Sequence, residues 1–194
     1  YNANVSVVWT VTESESRVLS STGCDPTSIT ADTTTDGTTL TCSATSVGGT
    51  SDPVSVTIKR DATKPTISAA ATSQPNSNGW YNGPVTVRFT CNDGLSGIPT
   101  GACPSDQVLS AEGSAVSSTA QTVADAAGNV SDPSNVVTVK IDTSKPSISI
   151  TTPAANAVYL LGQTVNAGYT CADGGSGVAT CVGTVANGSR IDTS

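Results

Sequence analysis

FTCNDGLSG, at Phe89–Gly97, returns further along the chain as YTCADGGSG at Tyr169–Gly177. A related segment, WTVTESES, begins at Trp9, so that positions 9, 89 and 169 are evenly spaced. The same offset continues downstream, because TCSATSVGGTSDP (Thr41–Pro53) aligns with QTVADAAGNVSDP (Gln121–Pro133). Self-similarity at a constant period indicates tandem structural repeats.

A third matching block marks the boundaries of the repeats. VTIKRDATKPTIS (Val56–Ser68) matches VTVKIDTSKPSIS (Val137–Ser149), one residue further along in offset. Pro65 and Pro146 disfavour helix at the preceding residue and stiffen each linker. We therefore expect three repeats: residues 1–61 without a first strand, a complete repeat at 62–145, and residues 146–194 without the last strands. We expect this chain to be a window on a longer array.

The second repeat carries the clearest strand signals. In PVTVRFTC (Pro84–Cys91), Val85, Val87 and Phe89 alternate with polar residues, which is the period of a strand with one buried face. Turn-forming Gly, Pro, Asn and Asp separate this strand from the others. The remaining predicted strands are Thr66–Ala71, a short piece at Ile98–Cys103, Asp106–Ala111, Ser118–Asp125 and Ser134–Asp142. Six or seven short strands in about 80 residues predict an all-β fold of antiparallel immunoglobulin-like β-sandwiches.

Composition limits the classes of partner. The net charge of −7 argues against nucleic-acid binding, which needs a basic face. An acidic balance is compatible with solubility or with cation binding. The longest apolar runs are four or five residues, far short of the roughly 20 that a membrane-spanning helix needs.

The six cysteines fall into three local pairs: Cys24/Cys42, Cys91/Cys103 and Cys171/Cys181. None lies in a CxxC motif and the chain has no histidine, so zinc sites of the Cys/His type are excluded. A four-cysteine site would need pairs from different domains. Local disulfides are the favoured interpretation, and they predict an extracellular or cell-surface location.

Three segments carry a family resemblance. GWYNGPVTVRFTCNDGLSGI, VADAAGNVSDP and VKIDTSKP, all from the second repeat, resemble the bacterial immunoglobulin-like repeats of large secreted and cell-surface proteins. The resemblance implies a stalk, spacer, adhesive or fibre-forming role, with neighbouring repeats or identical chains as partners. The first repeat departs from this pattern: Val11 stands where the others have Cys91 and Cys171, and Cys42 is the partner available to Cys24.

Acidic residues recur at the expected domain junctions. In a seven-stranded sandwich the loop after the second strand, the loop between the last two strands and the incoming linker share one end. This would gather Asp61, Asp93 and Asp125 at the first junction, and Asp142 with Asp173 at the second, whose third member would lie beyond the end of the chain. Carboxylates and backbone carbonyls form the oxygen cages that Ca²⁺ prefers, so Ca²⁺ is the one cofactor candidate.

The alternative reading of these loops needs no metal. Asp and Asn before Gly are residues that turns prefer, and Lys64 or Lys145 could neutralise the linker carboxylates. The loops also lack the spacing of a helix–loop–helix calcium site. Both readings remain open at the level of sequence.

Catalysis has little support. Without histidine, neither a Ser-His-Asp nor a Cys-His arrangement can be assembled. Glu13 and Glu15 are expected in an exposed turn rather than in a cleft. The sequence therefore predicts a non-catalytic extracellular structural protein: a surface stalk, adhesin shaft or filament.

The rival prediction is an accessory glycan-binding or spacer module of a secreted hydrolase. Trp80 and Tyr81, adjacent on a Gly/Asn-rich turn, could stack on a surface glycan, or could cover the edge of a thin core. A further hypothesis concerns the first repeat, whose unpaired sheet edge a strand from another chain could complete. The competing explanation for that edge is a longer chain.

Overall fold

The computed structural model describes residues 1–194 and is all-β. No helix with the length and hydropathy needed to cross a bilayer is present. The fourteen strands are β1 (Val5–Val7), β2 (Val18–Thr22), β3 (Thr27–Ile29), β4 (Thr38–Ser46), β5 (Gly49–Thr50), β6 (Val54–Ile58), β7 (Thr66–Ala71), β8 (Trp80–Tyr81), β9 (Val85–Asn92), β10 (Gln107–Leu109), β11 (Gly113–Ser117), β12 (Thr138–Ile141), β13 (Ser147–Thr152) and β14 (Gly168–Ala172).

The central strands form where the sequence alternates. In β9, Val85, Val87 and Phe89 are buried, whereas Arg88 and Thr90 point outward. β12 shows the same period, since its Val139 and Ile141 are buried. Side chains on one face of a strand recur every second residue, so an alternating sequence buries a single face. The pattern places these side chains in a β-sandwich-like core.

Two three-stranded sheets account for the six strands of the second repeat. Their orders are β10-β9-β7 and β11-β12-β8. β11 runs antiparallel to β12, while the short β8 pairs parallel with β12. β10 is antiparallel to β9, with Leu109 opposite Val85.

The chain forms two compact units. The first comprises residues 1–70, 88–106 and 119–136, and the second comprises residues 71–87, 107–118 and 137–194. Within the first unit β1 pairs antiparallel with β3, and a four-stranded group contains β2, β4, β5 and β6, with β4 paired to each of the others. Within the second unit β13 pairs antiparallel with β14, with Ile150 opposite Tyr169.

Three local disulfides join Cys24 to Cys42, Cys91 to Cys103 and Cys171 to Cys181, and no cysteine is free. They span 18, 12 and 10 residues of sequence. Closing a loop of this size contributes about 3 kcal/mol in the chain-entropy model, which matters for a core with few aromatic residues. Three disulfides indicate an oxidising environment.

Two predicted strands of the second repeat are wrong. Residues 98–103 form turns, in which the amide of Ala102 donates to the carbonyl of Pro99 (3.0 Å) and Gly101 has a φ of 80°. The segment predicted at Ser118–Asp125 has only an isolated bridge at Ala124, and the strand lies just before it, at Gly113–Ser117.

Serine hydroxyls explain the second error. The amide of Gln121 donates to Ser134 Oγ (3.1 Å), and the amide of Val123 donates to Ser131 Oγ (3.0 Å). Side chains of Ser and Thr offer the backbone an alternative to a sheet ladder. Residues 121–123 therefore pair with residues 131–134 partly through backbone groups and partly through serine side chains, without forming a strand.

Candidate functional site

Three carboxylates meet in the first compact unit. Asp61, Asp93 and Asp125 each offer one oxygen, and these oxygens all lie within 4.8 Å of one another. Asp61 and Asp125 are each only 4% exposed, and Asp93 is half-buried. The structure thus brings together the three residues that the sequence places at the first junction. We call them the acidic cluster.

Asp61 connects the linker to two loops. Its Oδ1 accepts the amide of Thr63 (3.0 Å) and its Oδ2 accepts the amide of Ser96 (3.0 Å). Its carbonyl accepts Nδ2 of Asn129 (3.0 Å), and its amide donates to the carbonyl of Tyr1 (2.8 Å). Every polar group of this buried residue is therefore hydrogen-bonded, as burial requires.

The other two carboxylates of the acidic cluster shape their own loops. Asp93 Oδ2 accepts the amides of Leu95 (3.1 Å) and Gly97 (2.7 Å), and Gly97 has a φ of 79°. Asp125 accepts the amide of Asn129 on Oδ1 (2.8 Å) and its Nδ2 on Oδ2 (2.7 Å). Asp side chains commonly bond amides a few residues on in this way, so much of the cluster is turn chemistry.

Asp32 holds the same linker from the other side. Its Oδ1 accepts the amide of Ala62 (2.8 Å) and Nη1 of Arg60 (2.7 Å), and its Oδ2 accepts the hydroxyl of Thr63 (2.6 Å). Hydrogen bonding from Thr63, then from the Ala62 amide, and the nearby guanidinium lower the pKa of Asp32. Consecutive linker residues are thus bound by carboxylates from two directions.

The second linker repeats this arrangement inside the second compact unit. Asp142, which is buried, accepts the amide of Ser144 on Oδ1 (3.0 Å) and the amide of Ser176 on Oδ2 (2.6 Å). Hydrogen bonding from Ser176, with a smaller contribution from the Ser144 amide, lowers the pKa of Asp142. Asp173 Oδ1 accepts the amides at positions 175 and 177, at 3.1 and 2.8 Å. Asp142 and Asp173 therefore accept hydrogen bonds from the amides at the same relative positions as Asp61 and Asp93 do in the first unit.

Glu112 is the second linker's counterpart of Asp32, because the offset that relates Trp9 to Phe89 also relates position 32 to position 112. Its carboxylate accepts the amide of Thr143 (3.1 Å), the hydroxyl of Thr143 and the hydroxyl of Ser144 (3.1 Å to Oε2). Hydrogen bonding from Thr143, and then from Ser144, lowers the pKa of Glu112. We call each linker with its bound carboxylates a linker joint: residues 61–65 with Asp32, and residues 142–146 with Glu112.

Sequence reasoning missed Asp32 and Glu112. The signal that could have found them is the repeat offset, which places an acid preceded by alanine at both positions. The linkers supply the complementary donors, because each has a Thr or Ser hydroxyl two residues after its Asp.

Lys64 forms its ion pair with a residue outside the acidic cluster. Its Nζ pairs with Oδ1 of Asp132 at 2.7 Å, and both side chains are largely exposed. Lys64 therefore does not neutralise a linker carboxylate, which was one of the two possibilities that the sequence offered, but pairs with Asp132.

Trp80 and Tyr81 form β8 and are both half-buried. Nζ of Lys140 lies 5.9 Å from the centre of the Trp80 ring, in cation–π range, and the Tyr81 hydroxyl donates to the carbonyl of Ser73 (2.9 Å). The carbonyl of Tyr81 also accepts the amide of Asp142 (2.9 Å). Both rings thus have partners within the protein.

Glu13 and Glu15 are exposed and lie at a bend, but they also line an open cleft of about 820 Å³. Oε1 of Glu13 accepts the amides of Glu15 (3.0 Å) and Ser16 (3.2 Å). Hydrogen bonding from the Glu15 amide is the main cause that lowers the pKa of Glu13. A carboxylate used to close its own bend has the geometry of a turn residue.

No known family model matches the chain, and no curated protein matches it in sequence at a significant level.

Proposed function

We propose that this chain is a non-catalytic structural segment of an extracellular array of immunoglobulin-like β-sandwich repeats, acting as a surface stalk, adhesin shaft or filament. The observation that carries the proposal is the linker joint, which occurs twice with the same hydrogen bonds from linker amides to carboxylates. A spacer needs joints that hold the chain direction, whereas a flexible tether needs none of these contacts.

The linkers are restricted by their prolines and by hydrogen bonds to carboxylates. Pro65 and Pro146 fix their own φ and limit the residue before them. The amides at the first two positions after each Asp donate to carboxylates, from Asp32 and Asp61 in one joint and from Glu112 and Asp142 in the other. Hydrogen bonds to ionised acceptors are stronger than neutral ones, so these short segments are held in one conformation.

Backbone ¹⁵N relaxation tests this proposal directly. We expect order parameters of about 0.85 for the linker amides, as in rigid backbone, rather than below about 0.6. The variants Asp32→Asn and Glu112→Gln should lower them at their own joint only. The matched controls are Asp36→Asn and Asp52→Asn, which change exposed acids outside the joints. Linkers as mobile as a free chain in the wild-type protein would contradict the proposal.

Calcium is a second candidate for the first joint. Its ligands would be Asp61, Asp93 and Asp125, whose donors are all oxygen, the chemistry that Ca²⁺ prefers. Asp93 keeps Oδ1 free of hydrogen bonds within the protein, and Lys64 is engaged elsewhere. Three carboxylates fall short of 6–8 ligands, so carbonyls and water would have to supply the rest.

Isothermal titration calorimetry measures this binding. We expect calcium to bind the wild-type chain with a dissociation constant of about 0.1–1 mM, typical of extracellular modules. Asp93→Asn should weaken binding, while Asp173→Asn, whose joint in this chain has only two of the carboxylates, should not. Absence of heat above the dilution control in the wild-type chain would remove calcium from the account.

The glycan-binding alternative has less support. It needs an aromatic face free to stack, and Lys140 lies over the ring of Trp80, while Tyr81 is half-buried and its hydroxyl is bonded to the carbonyl of Ser73. An accessory module would retain a glycan through these rings, so Trp80→Ala should abolish retention on a glycan column. If the wild-type chain is retained on the column and the Trp80→Ala variant is not, the glycan-binding alternative is favoured over the stalk. If the two chains behave alike, Trp80 is excluded as the glycan site.

A further inference from the structure

The second repeat has four edge strands, and the backbone of three of them limits pairing with another chain. Its two sheets end at β10 and β7, and at β11 and β8. An edge strand carries amides and carbonyls without a strand partner, so a strand of another molecule can pair with it. β8 has two residues and β10 has three, and such short edges offer little to a partner. The register of β11 shifts between Gly113 and Val116, which makes this edge irregular.

β7 is the fourth edge strand, and its own sequence does not protect it. It is the longest of the four, with six residues, TISAAA at Thr66–Ala71. None of these residues is charged, and none is proline or glycine. Uncharged segments of this length without proline are the ones that pair most readily with copies of themselves. β7 is therefore the edge of this repeat at which a second chain would pair most easily.

The side chain of Asn135 occupies the middle of the β7 edge. Its Oδ1 accepts the amide of Ala69 (2.8 Å), and its Nδ2 donates to the carbonyl of Ala69 (2.8 Å). In an antiparallel sheet, two facing residues exchange these same two bonds. A carboxamide has the donor and the acceptor of a peptide group, so Asn135 makes the pair of bonds that a residue of a neighbouring strand would make.

The backbone before Asn135 is anchored, which holds the side chain in position. Ser134 is buried, its amide donates to the carbonyl of Gln121 (2.8 Å), and its Oγ accepts the amide of Gln121 (3.1 Å). The Ser134 hydroxyl also donates to the carbonyl of Asn135 (3.1 Å), and Pro133 has a fixed φ. Asn135 itself is exposed, so a second chain that approached β7 would meet this side chain first.

We propose that the side chain of Asn135 closes the edge of β7 and thereby prevents it from pairing with β7 of a second copy of this chain. A strand that approaches this edge has to break both bonds between Asn135 and Ala69 before it forms its own. The bonds that it offers are of the same kind, while its association costs translational and rotational freedom. The closed edge is therefore the more stable state of the wild-type chain. This role of Asn135 goes beyond the proposed function and is independent of it.

Removal of the carboxamide reverses this balance. Ala69 is only 7% exposed, so its amide and carbonyl would be left without partners at a site that water reaches poorly. A strand of a second copy can supply both partners, as in other cases in which an extended segment adds to the edge of a sheet. The uncharged sequence of β7 contains nothing that repels a copy of itself. We therefore expect an opened edge to pair with the opened edge of another chain.

Sedimentation velocity and amide hydrogen exchange on the full chain test this role. The Asn135→Ala chain should associate increasingly with concentration, and while it is still monomeric its Ala69 amide should exchange at least about tenfold faster than in the wild type. Asn135→Asp keeps an acceptor for that amide but places a charge on the edge, so it should stay monomeric. The matched control is Ser131→Ala, which removes the buried acceptor of the Val123 amide (3.0 Å), a hydrogen bond in which β7 takes no part. This control should lose stability without associating.

Three results would overturn the proposal. They are an Asn135→Ala chain that stays monomeric at all concentrations, an Ala69 amide as protected in that variant as in the wild type, and association of Asn135→Asp or Ser131→Ala as strong as that of Asn135→Ala. A labelled synthetic peptide, PTISAAAT, with the sequence of residues 65–72, tests the closed edge on the wild-type chain itself. The peptide should bind Asn135→Ala and not the wild-type chain. Binding to the wild-type chain as tight as to the variant would show that the edge is open and would equally overturn the proposal.

Discussion

Asp61→Asn should separate the turn role of the acidic cluster from its cation role. Asparagine keeps one acceptor but turns an amino group toward a donor, so the amide of Thr63 or of Ser96 loses its partner. Losing a hydrogen bond to a buried charged group costs about 1.5–3 kcal/mol. The substitution also removes one of three carboxylates within 4.8 Å. At that separation each repulsive pair is worth about 1–3.5 kcal/mol for effective dielectric constants of 80 to 20.

Asp61 belongs to two of the three pairs, so in the presence of a chelator the relieved repulsion, about 2–7 kcal/mol in total, matches or exceeds the hydrogen-bond loss. We therefore expect Asp61→Asn, without calcium, to lower the free energy of unfolding by no more than about 1 kcal/mol or to raise it. When calcium is present, its binding raises the free energy of unfolding of the wild-type chain. At 10 mM calcium and a dissociation constant of about 0.1–1 mM, the gain is about 1.4–2.7 kcal/mol. The variant should lose most of this gain.

Thermal unfolding in calcium and in chelator is the assay. For a chain of this size each kcal/mol moves Tm by about 2–4 °C, so the wild-type shift should be roughly 3–11 °C. Asp36→Asn, an exposed acid outside the cluster, should shift as the wild type does. Identical Tm values for the wild-type chain in both conditions, or an undiminished shift in Asp61→Asn, would refute the cation role.

Three further predictions concern the joints and the core. Acid should loosen the joints, because the pKa values of Asp32 and Glu112 are lowered in the folded protein. The stability that these carboxylates provide is fully present above their ordinary pKa values of 3.8 and 4.5, and it is lost as the pH falls through the lowered pKa of the folded state. Amide exchange of the linkers, measured between pH 5 and pH 2, checks this expectation. Replacing Cys91 and Cys103 together by alanine should cost about 3 kcal/mol in urea unfolding, and a cost near zero would contradict the chain-entropy account. Lys64→Ala should change stability by less than about 1 kcal/mol, because its ion pair is exposed; a larger loss would give this lysine a role in the joint.

Much of the fold could be read from periodicity. Val85, Val87 and Phe89 alternate because one face of β9 is buried, and this local rule identifies the strand without knowledge of its neighbours. The predicted strand at Thr66–Ala71 has the observed bounds. The order of the matching blocks located both linkers, and the three cysteine pairs are close enough in sequence to restrict the pairing.

Long-range side-chain contacts could not be read in this way. Ser131 and Ser134 take the place of a ladder partner for residues 121–123, and nothing in their local sequence indicates it. Asp32 is 30 residues from Ala62, to whose amide it is bonded. Such contacts depend on the placement of two loops after folding, so only the comparison of repeats could have revealed them.

The central claim is that the linkers are held by their carboxylates, and amide hydrogen exchange tests it most directly. The four amides are those of Ala62, Thr63, Thr143 and Ser144, each of which donates to a carboxylate. The account predicts that they exchange within about tenfold of the rate of neighbouring strand amides at neutral pH. Exchange of these four amides at the rate of an unfolded peptide, while the strands stay protected, would contradict it.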